Sequence, residues 1–377
     1  MKLLAKEYSH SKQMKDKTEI EDSTLKKGKD KMVERMKKLL LSKWKTRKLN
    51  VVVLGSDGML GYDVHKRLIE LAAKKDSGIG IVSGIDVNDH VDVTSKDALL
   101  SWFEDKIHYD VCINCIAYTN TSAAETTREG RAASYKLNAL AVEKIARVCR
   151  ELKMKLIHIS TDYVFSEMGY SNPSTTDISP FRPADDEFPC NNYGDHKLIG
   201  ELFIRTTLPT KDYCILRTSW LYGAHNSKSF VHKFMRNVVK AIRDGKSEVT
   251  MNDFETSMPT CTTDLVDAIC KVIQTKECGI LHAVSRSSDI PATRVEFAKE
   301  ILQSFIDMHE CGCGLDTELI DKIQQLKIVP VHSETYQPRF SALWTSYTFD
   351  MPKWNASLIN FITLHAAEIL EWAKAQQ

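Results

Sequence analysis

Leu49-Asn50-Val51-Val52-Val53-Leu54-Gly55-Ser56-Asp57-Gly58-Met59-Leu60-Gly61 reads as a short apolar strand that runs into a three-glycine turn with the spacing GxxGxxG. Each glycine has a job in such a turn. Gly55 lets the chain leave the strand tightly, Gly58 lets backbone amides approach a phosphate, and Gly61 lets the next helix pack close to the strand. A helix pattern follows over 59–74, and its N-terminus favours negative charge. A second strand over 79–85 ends at Asp86, 25 residues past Gly61. A carboxylate there can accept both hydroxyls of a ribose and repel a 2′-phosphate, which favours NADH over NADPH. The turn residues Gly55, Asp57, Gly58, Met59, Leu60 and Gly61 are therefore expected at a dinucleotide, with Asp92 and Val93 near its adenine.

Strand and helix patterns keep alternating beyond this unit. Helices are expected over 96–106, 132–152 and 193–205, and strands over 110–116, 155–160 and 213–218. Strict β–α alternation predicts an α/β fold with a doubly wound, Rossmann-type parallel sheet covered on both faces. From Ser227 the pattern changes: a helix over 230–243, a short strand over 248–251, a helix near Thr263 and a strand over 280–284. The expected organisation is a basic arm over 1–48, a dinucleotide-binding domain over 49–226, and a smaller C-terminal substrate-binding cap over 227–377. Residues 279–285 are expected to return to the main sheet.

The chain has 377 residues, 43% of them hydrophobic and 27% charged, with a net charge of +1. Residues 1–50 hold 14 Lys and 2 Arg against 7 Asp and Glu, a net +9 that leaves −8 for the remainder. An acidic body gives no reason to expect a nucleic-acid groove. Within the arm, Met32, Met36, Leu40 and Trp44 mark a basic amphipathic helix over 31–48, suited to a partner or an anionic surface. Cys112 and Cys115 form a CxxC in a strand-like run, where residues three apart point to opposite faces, so no metal site is expected. Ten cysteines without a secretory leader suggest free thiols in a reducing, cytoplasmic setting. No stretch reaches membrane-spanning length.

Tyr193-Gly194-Asp195-His196-Lys197 places a phenol and an ammonium one helical turn apart, 138 residues after Gly55. There a lysine can lower the phenol's pKa and make it a proton donor near neutral pH. Ile157-His158-Ile159-Ser160-Thr161-Asp162-Tyr163 is a strand whose carboxyl end is dense in hydroxyls, where sites of open parallel sheets lie. Thr161 or Ser160 could bond a substrate carbonyl beside Tyr193, whereas His158, mid-strand, reads as core. No GxSxG elbow follows a strand, which argues against a hydrolase.

These residues resemble the extended short-chain dehydrogenase/reductases, and within them the dTDP-4-dehydrorhamnose reductases, over about residues 50–360. The carrying motifs are Gly55–Gly61, Asn114-Cys115-Ile116-Ala117-Tyr118-Thr119, Leu137-Asn138-Ala139, Ser160-Thr161-Asp162-Tyr163-Val164-Phe165, Tyr193–Leu198 and Arg217-Thr218-Ser219-Trp220-Leu221-Tyr222. The resemblance implies reduction, with NADH or NADPH, of the 4-keto group of a nucleotide-diphosphate 6-deoxy sugar. Tyr193 would protonate the new oxyanion, Thr161 would hold the carbonyl, and Lys197 would tune Tyr193 and bind the cofactor ribose. Ala117 and Tyr118 would flank the nicotinamide; Ser160, Tyr163 and Trp220 would line the sugar pocket. The family also allows a homodimer, and a silent regulatory subunit such as the β subunit of methionine adenosyltransferase. Departures fall on the substrate side: Ser122-Ala123 stands where the family carries Asp-Lys. Likewise Gln337-Pro338 replaces Arg-Pro, and Asp253-Phe254 replaces Asp-Gln in a stretch one residue longer.

Overall fold

A computed structural model describes residues 47–104, 106–169, 179–286, 291–333 and 336–376. The helix expected over 31–48 therefore lies outside the described residues apart from its last two. Leu49–Lys74 and Ile79–Gln377 form one unit, to which everything below belongs.

Val51, Val52 and Val53 are wholly buried, as a strand covered on both faces requires. They lie in β1 (Leu49–Leu54), which is joined by β2 (Ile79–Ile85), β3 (Val111–Asn114), β4 (Lys155–Thr161), β5 (Tyr213–Thr218) and β6 (Gly279–His282). All pair in parallel, in the order β6-β5-β4-β3-β1-β2. The chain steps from β1 out to β2 and then crosses back to β3, so a crevice opens at the carboxyl ends beside β1. Val53, Ile113, Ile157 and Leu216 fill one side of the sheet, and Val52, Cys112, Leu156 and Ile215 the other. Cys112 and Cys115 pack against opposite cores, as the strand period dictates.

The C-terminal third builds its own core. Helices Phe230–Arg243, Arg294–Glu310 and Trp354–Ala375 bring together Val231, Phe234, Phe297, Ile301, Leu358 and Ile362. Beside them Glu248–Asn252 pairs in parallel with Lys327–Val331. β6 does return to the main sheet, pairing with β5.

The single helix expected over 132–152 is broken. Arg128–Tyr135 and Ala141–Glu151 are α-helical, and Lys136–Leu140 between them forms a π-helical turn. The wider turn aims Asn138 at the loop after β3, where its amide accepts from Tyr118 N–H and donates to Tyr118 C=O, both at 3.0 Å. A hydrophobic period alone does not reveal an extra residue per turn.

Candidate active site

The glycine turn closes tightly over the end of β1. Gly55 sits at φ +80°, a region that favours glycine. A Cβ on Gly61 would lie 1.9 Å from the Gly55 carbonyl oxygen, so only hydrogen fits there. The Met59–Ala72 helix begins at Gly58 with no side-chain cap, which leaves its first amides without a side-chain acceptor. This cradle suits a pyrophosphate. Leu60 is buried in the core below.

Asp86 stitches β2 to the turn. Its carboxylate accepts from Asp57 N–H at 2.8 Å and from Val87 N–H at 2.7 Å. Asp92 is spent on its own turn, accepting from the Thr94 amide at 2.9 Å and hydroxyl at 2.6 Å. Val93 packs against the core on the Val52 side. Ala117 and Tyr118 follow β3, fixed by Asn138.

Across the crevice, the Asn192–Thr207 helix is capped by Asn191, whose side chain accepts from Gly194 N–H at 2.7 Å. Glu125, from the family-like Ala124-Glu125 pair, accepts from both the Asn192 backbone and side-chain amides, the latter at 2.8 Å. The helix start is thereby pinned, and Tyr193 meets the end of β4. Thr161 ends β4 beside the Tyr193 phenol, close enough to pull its pKa down. The expected lowering of that phenol by Lys197 does not appear. Burial first, and then the Asp162 charge, push it up to about 12 against the pull of Thr161. Lys197 is instead turned into the interior, where its amine donates to the Ile159 carbonyl at 2.6 Å.

Ser160 is not at the crevice. Side chains alternate along a strand, and its hydroxyl donates to Glu201 at 2.5 Å on the far side. Glu201 also receives Arg217, whose Nη2 lies 2.7 Å from Oε2, and Arg217 reaches Glu187 at 2.5 Å. Both Arg217 and Glu201 are fully buried.

Tyr163 stands edge-on to Tyr193 with ring centroids 5.8 Å apart. Its hydroxyl reaches Glu255 at 3.5 Å. Glu255 pairs with Arg294 at 3.2 Å, and the Arg294 guanidinium lies 3.4 Å over the Trp220 ring. Trp220 holds φ +40°, and its Nε1 is buried with no partner among the described residues. Tyr163, Glu255, Arg294 and Trp220 thus form one wall from Tyr193 outward. Sequence reading missed Glu255 and Arg294, which are 39 residues apart with no motif around them.

It also missed Asp162, a buried carboxylate that accepts from the hydroxyls of Ser341 at 2.5 Å, Ser257 at 2.8 Å and Thr161 at 3.1 Å. Among the described residues, no three His, Cys, Asp or Glu side chains gather to hold a metal ion. Nor is any described helix long and apolar enough to cross a membrane.

The chain is similar to known proteins along most of its length. The family model described as RmlD substrate binding domain matches residues 49–363. A dTDP-4-dehydrorhamnose reductase of Mycobacterium tuberculosis is 29% identical over 240 residues, 63% of this chain and 70% of that protein. A probable dTDP-4,6-dihydroxy-2-methyloxan-3-one 4-ketoreductase of Streptomyces antibioticus is 32% identical over 254 residues, 67% of this chain and 76% of its own. Among solved structures, a dTDP-4-dehydrorhamnose reductase of Clostridium acetobutylicum superposes with a TM-score of 0.67 at 26% identity. It covers 84% of this chain and 100% of the other.

Proposed function

The chain belongs to the RmlD substrate-binding-domain family, and from that premise we propose that it reduces the 4-keto group of a nucleotide-linked 6-deoxy-hexulose with NADH or NADPH. The observation that carries this reading is the placement of Thr161, at the carboxyl end of β4, beside the buried Tyr193 phenol, with Lys197 one turn on. A scaffold has no need of a phenol and a hydroxyl side by side at the mouth of a cofactor crevice.

The residues present fit a dinucleotide: a glycine cradle with no room for a Cβ at Gly61, and an uncapped helix start. Gly55, Gly58, Met59 and Gly61 would hold the pyrophosphate, and Asp57, Asp86, Asp92 and Val93 would lie toward the adenosine end. Ala117, Tyr118 and Lys197 would lie along the nicotinamide end. When bound, the cofactor supplies the hydride that goes to the sugar C4. Thr161 positions the keto oxygen against Tyr193, whose phenol gives up its proton as charge develops there. The Tyr163–Glu255–Arg294–Trp220 wall orients the sugar and excludes water behind it. A soluble, cytoplasmic setting fits ten unpaired thiols.

The test is oxidation of NADH and NADPH with dTDP- and UDP-4-keto-6-deoxyhexose, with and without an added 3,5-epimerase. Turnover on either sugar supports the reading, and epimerase dependence makes the chain a stand-alone reductase. Cofactor binding without reduction of any sugar would transfer the case to a silent regulatory subunit.

A further inference from the structure

Two hydrogen bonds fix the orientation of a ring that sequence reading treats as core filling. Ile116 N–H donates to Asn114 Oδ1 at 3.0 Å, so the amide nitrogen is the end of Asn114 that faces His158. That nitrogen lies 3.0 Å from His158 Nδ1. An amide NH2 can only donate, so Nδ1 is the bare, accepting nitrogen. His158 is wholly buried, and burial followed by the Lys197 charge holds the imidazole well below its ordinary value. A neutral ring with a bare Nδ1 carries its hydrogen on Nε2. Nε2 sits 3.4 Å from Lys197 Nζ.

At that contact the two forms of lysine are not equivalent. An ammonium has three hydrogens and no lone pair, so it would set an N–H against the ring's N–H. A free amine accepts from Nε2–H and still donates to Ile159 C=O. We propose that His158 is a positioning residue for Lys197: through the tautomer that Asn114 imposes, it favours the uncharged amine.

The other groups facing Lys197 act alongside it. Burial disfavours the charge most, while Glu201 on the same helix and Cys115 beyond β3 favour it, and the balance brings Lys197 down to about 8. Glu201 is already committed to Ser160 and Arg217. Resting on the reductase reading, the consequence is that the Lys197 ammonium, one helical turn from Tyr193, is lost just above neutral pH. Reduction then declines through an alkaline limb near pH 8.

The experiment uses the full chain labelled with 15N-histidine, its His158 signals assigned by their loss in His158→Phe. The expected spectrum shows a protonated Nε2 and a bare Nδ1, both shifting as Lys197 titrates. Asn114→Asp keeps an oxygen for Ile116 but accepts from Nδ1, which moves the ring hydrogen there and turns a lone pair toward Lys197. Its alkaline limb in kcat/KM should move up by about one pH unit or more, a tenfold gain in relative rate above the limb. His158→Phe should move it in the same direction. A bare Nε2 in the native protein overturns the proposal, as does a limb that neither variant moves. The 15N arm needs no substrate, so absence of turnover would sink the reductase reading while leaving the tautomer to be decided.

Discussion

Ser341 donates to the Asp162 carboxylate at 2.5 Å across 179 positions of sequence. Ser257 reaches the same oxygen at 2.8 Å, so the residue next to Thr161 is held by two hydroxyls from the C-terminal third. The end of β4 and the C-terminal third are thereby locked together at the point where Tyr193 arrives.

Burial pushes the Asp162 carboxyl up to about 6 from an ordinary 3.8, against the pull of Ser341, Ser257 and Thr161. The folded state holds this proton more tightly than the unfolded chain does. Its destabilising contribution is therefore full above about pH 6 and fades as pH falls toward 3.8. Relative to Asp162→Asn, the native chain should gain on the order of 2–3 kcal/mol between pH 7 and pH 4. Urea unfolding of both proteins at the two pH values measures the difference, and equal slopes would refute it.

Tyr193→Phe should reduce kcat by about 10²–10⁴-fold, the usual contribution of a positioned proton donor. Cofactor affinity, read by fluorescence titration, should stay within a factor of about two, since the phenol is not part of the glycine cradle. Thr161→Val should lower kcat in the same way and leave Tyr193 even harder to ionise, because the one neighbour that pulls the phenol down is gone.

Arg294→Ala removes both the partner of Glu255 and the cation over Trp220. Because neither lies at the cofactor, the sugar KM should rise about tenfold, roughly 1.4 kcal/mol, with cofactor binding unchanged. A lowered kcat at constant KM would place this wall away from the sugar.

Glu201→Gln leaves Arg217 buried with half its pairing lost, and should destabilise by about 3–5 kcal/mol. The double replacement Glu201→Leu, Arg217→Met should recover most of that, since the buried pair goes together and Glu187 keeps Arg205 at 3.1 Å. Chemical denaturation of the single and double variants decides this, and a single variant as stable as the native chain would contradict it.

What could be read from the chain divides by the range of the interaction. The glycine turn was legible because Gly55 and Gly61 answer to the backbone a few residues away. The Tyr193–Lys197 pair was legible because helical spacing alone aligns the two side chains. Ser160 was misplaced because one step along a strand reverses a side chain, and two adjacent hydroxyls look alike in sequence. Asp162, Glu255 and Arg294 were missed for a different reason: their partners come from distant segments, and only tertiary packing brings them together. The direction of the Tyr193 shift was hidden for the same cause, since burial and the Asp162 carboxylate set it and Lys197 faces elsewhere.

The π-helical turn at Lys136–Leu140 implies a trade between robustness and use. Deleting one of its five residues would restore an unbroken α-helix with tighter backbone bonding, yet would swing Asn138 by about 100° around the axis. Tyr118 would lose both its bonds, and the loop after β3 would be free to drift. Such a deletion should yield a chain that melts no lower than the original while its grip on the dinucleotide slackens. In this helix, selection for heat resistance alone would erase the feature that serves the crevice.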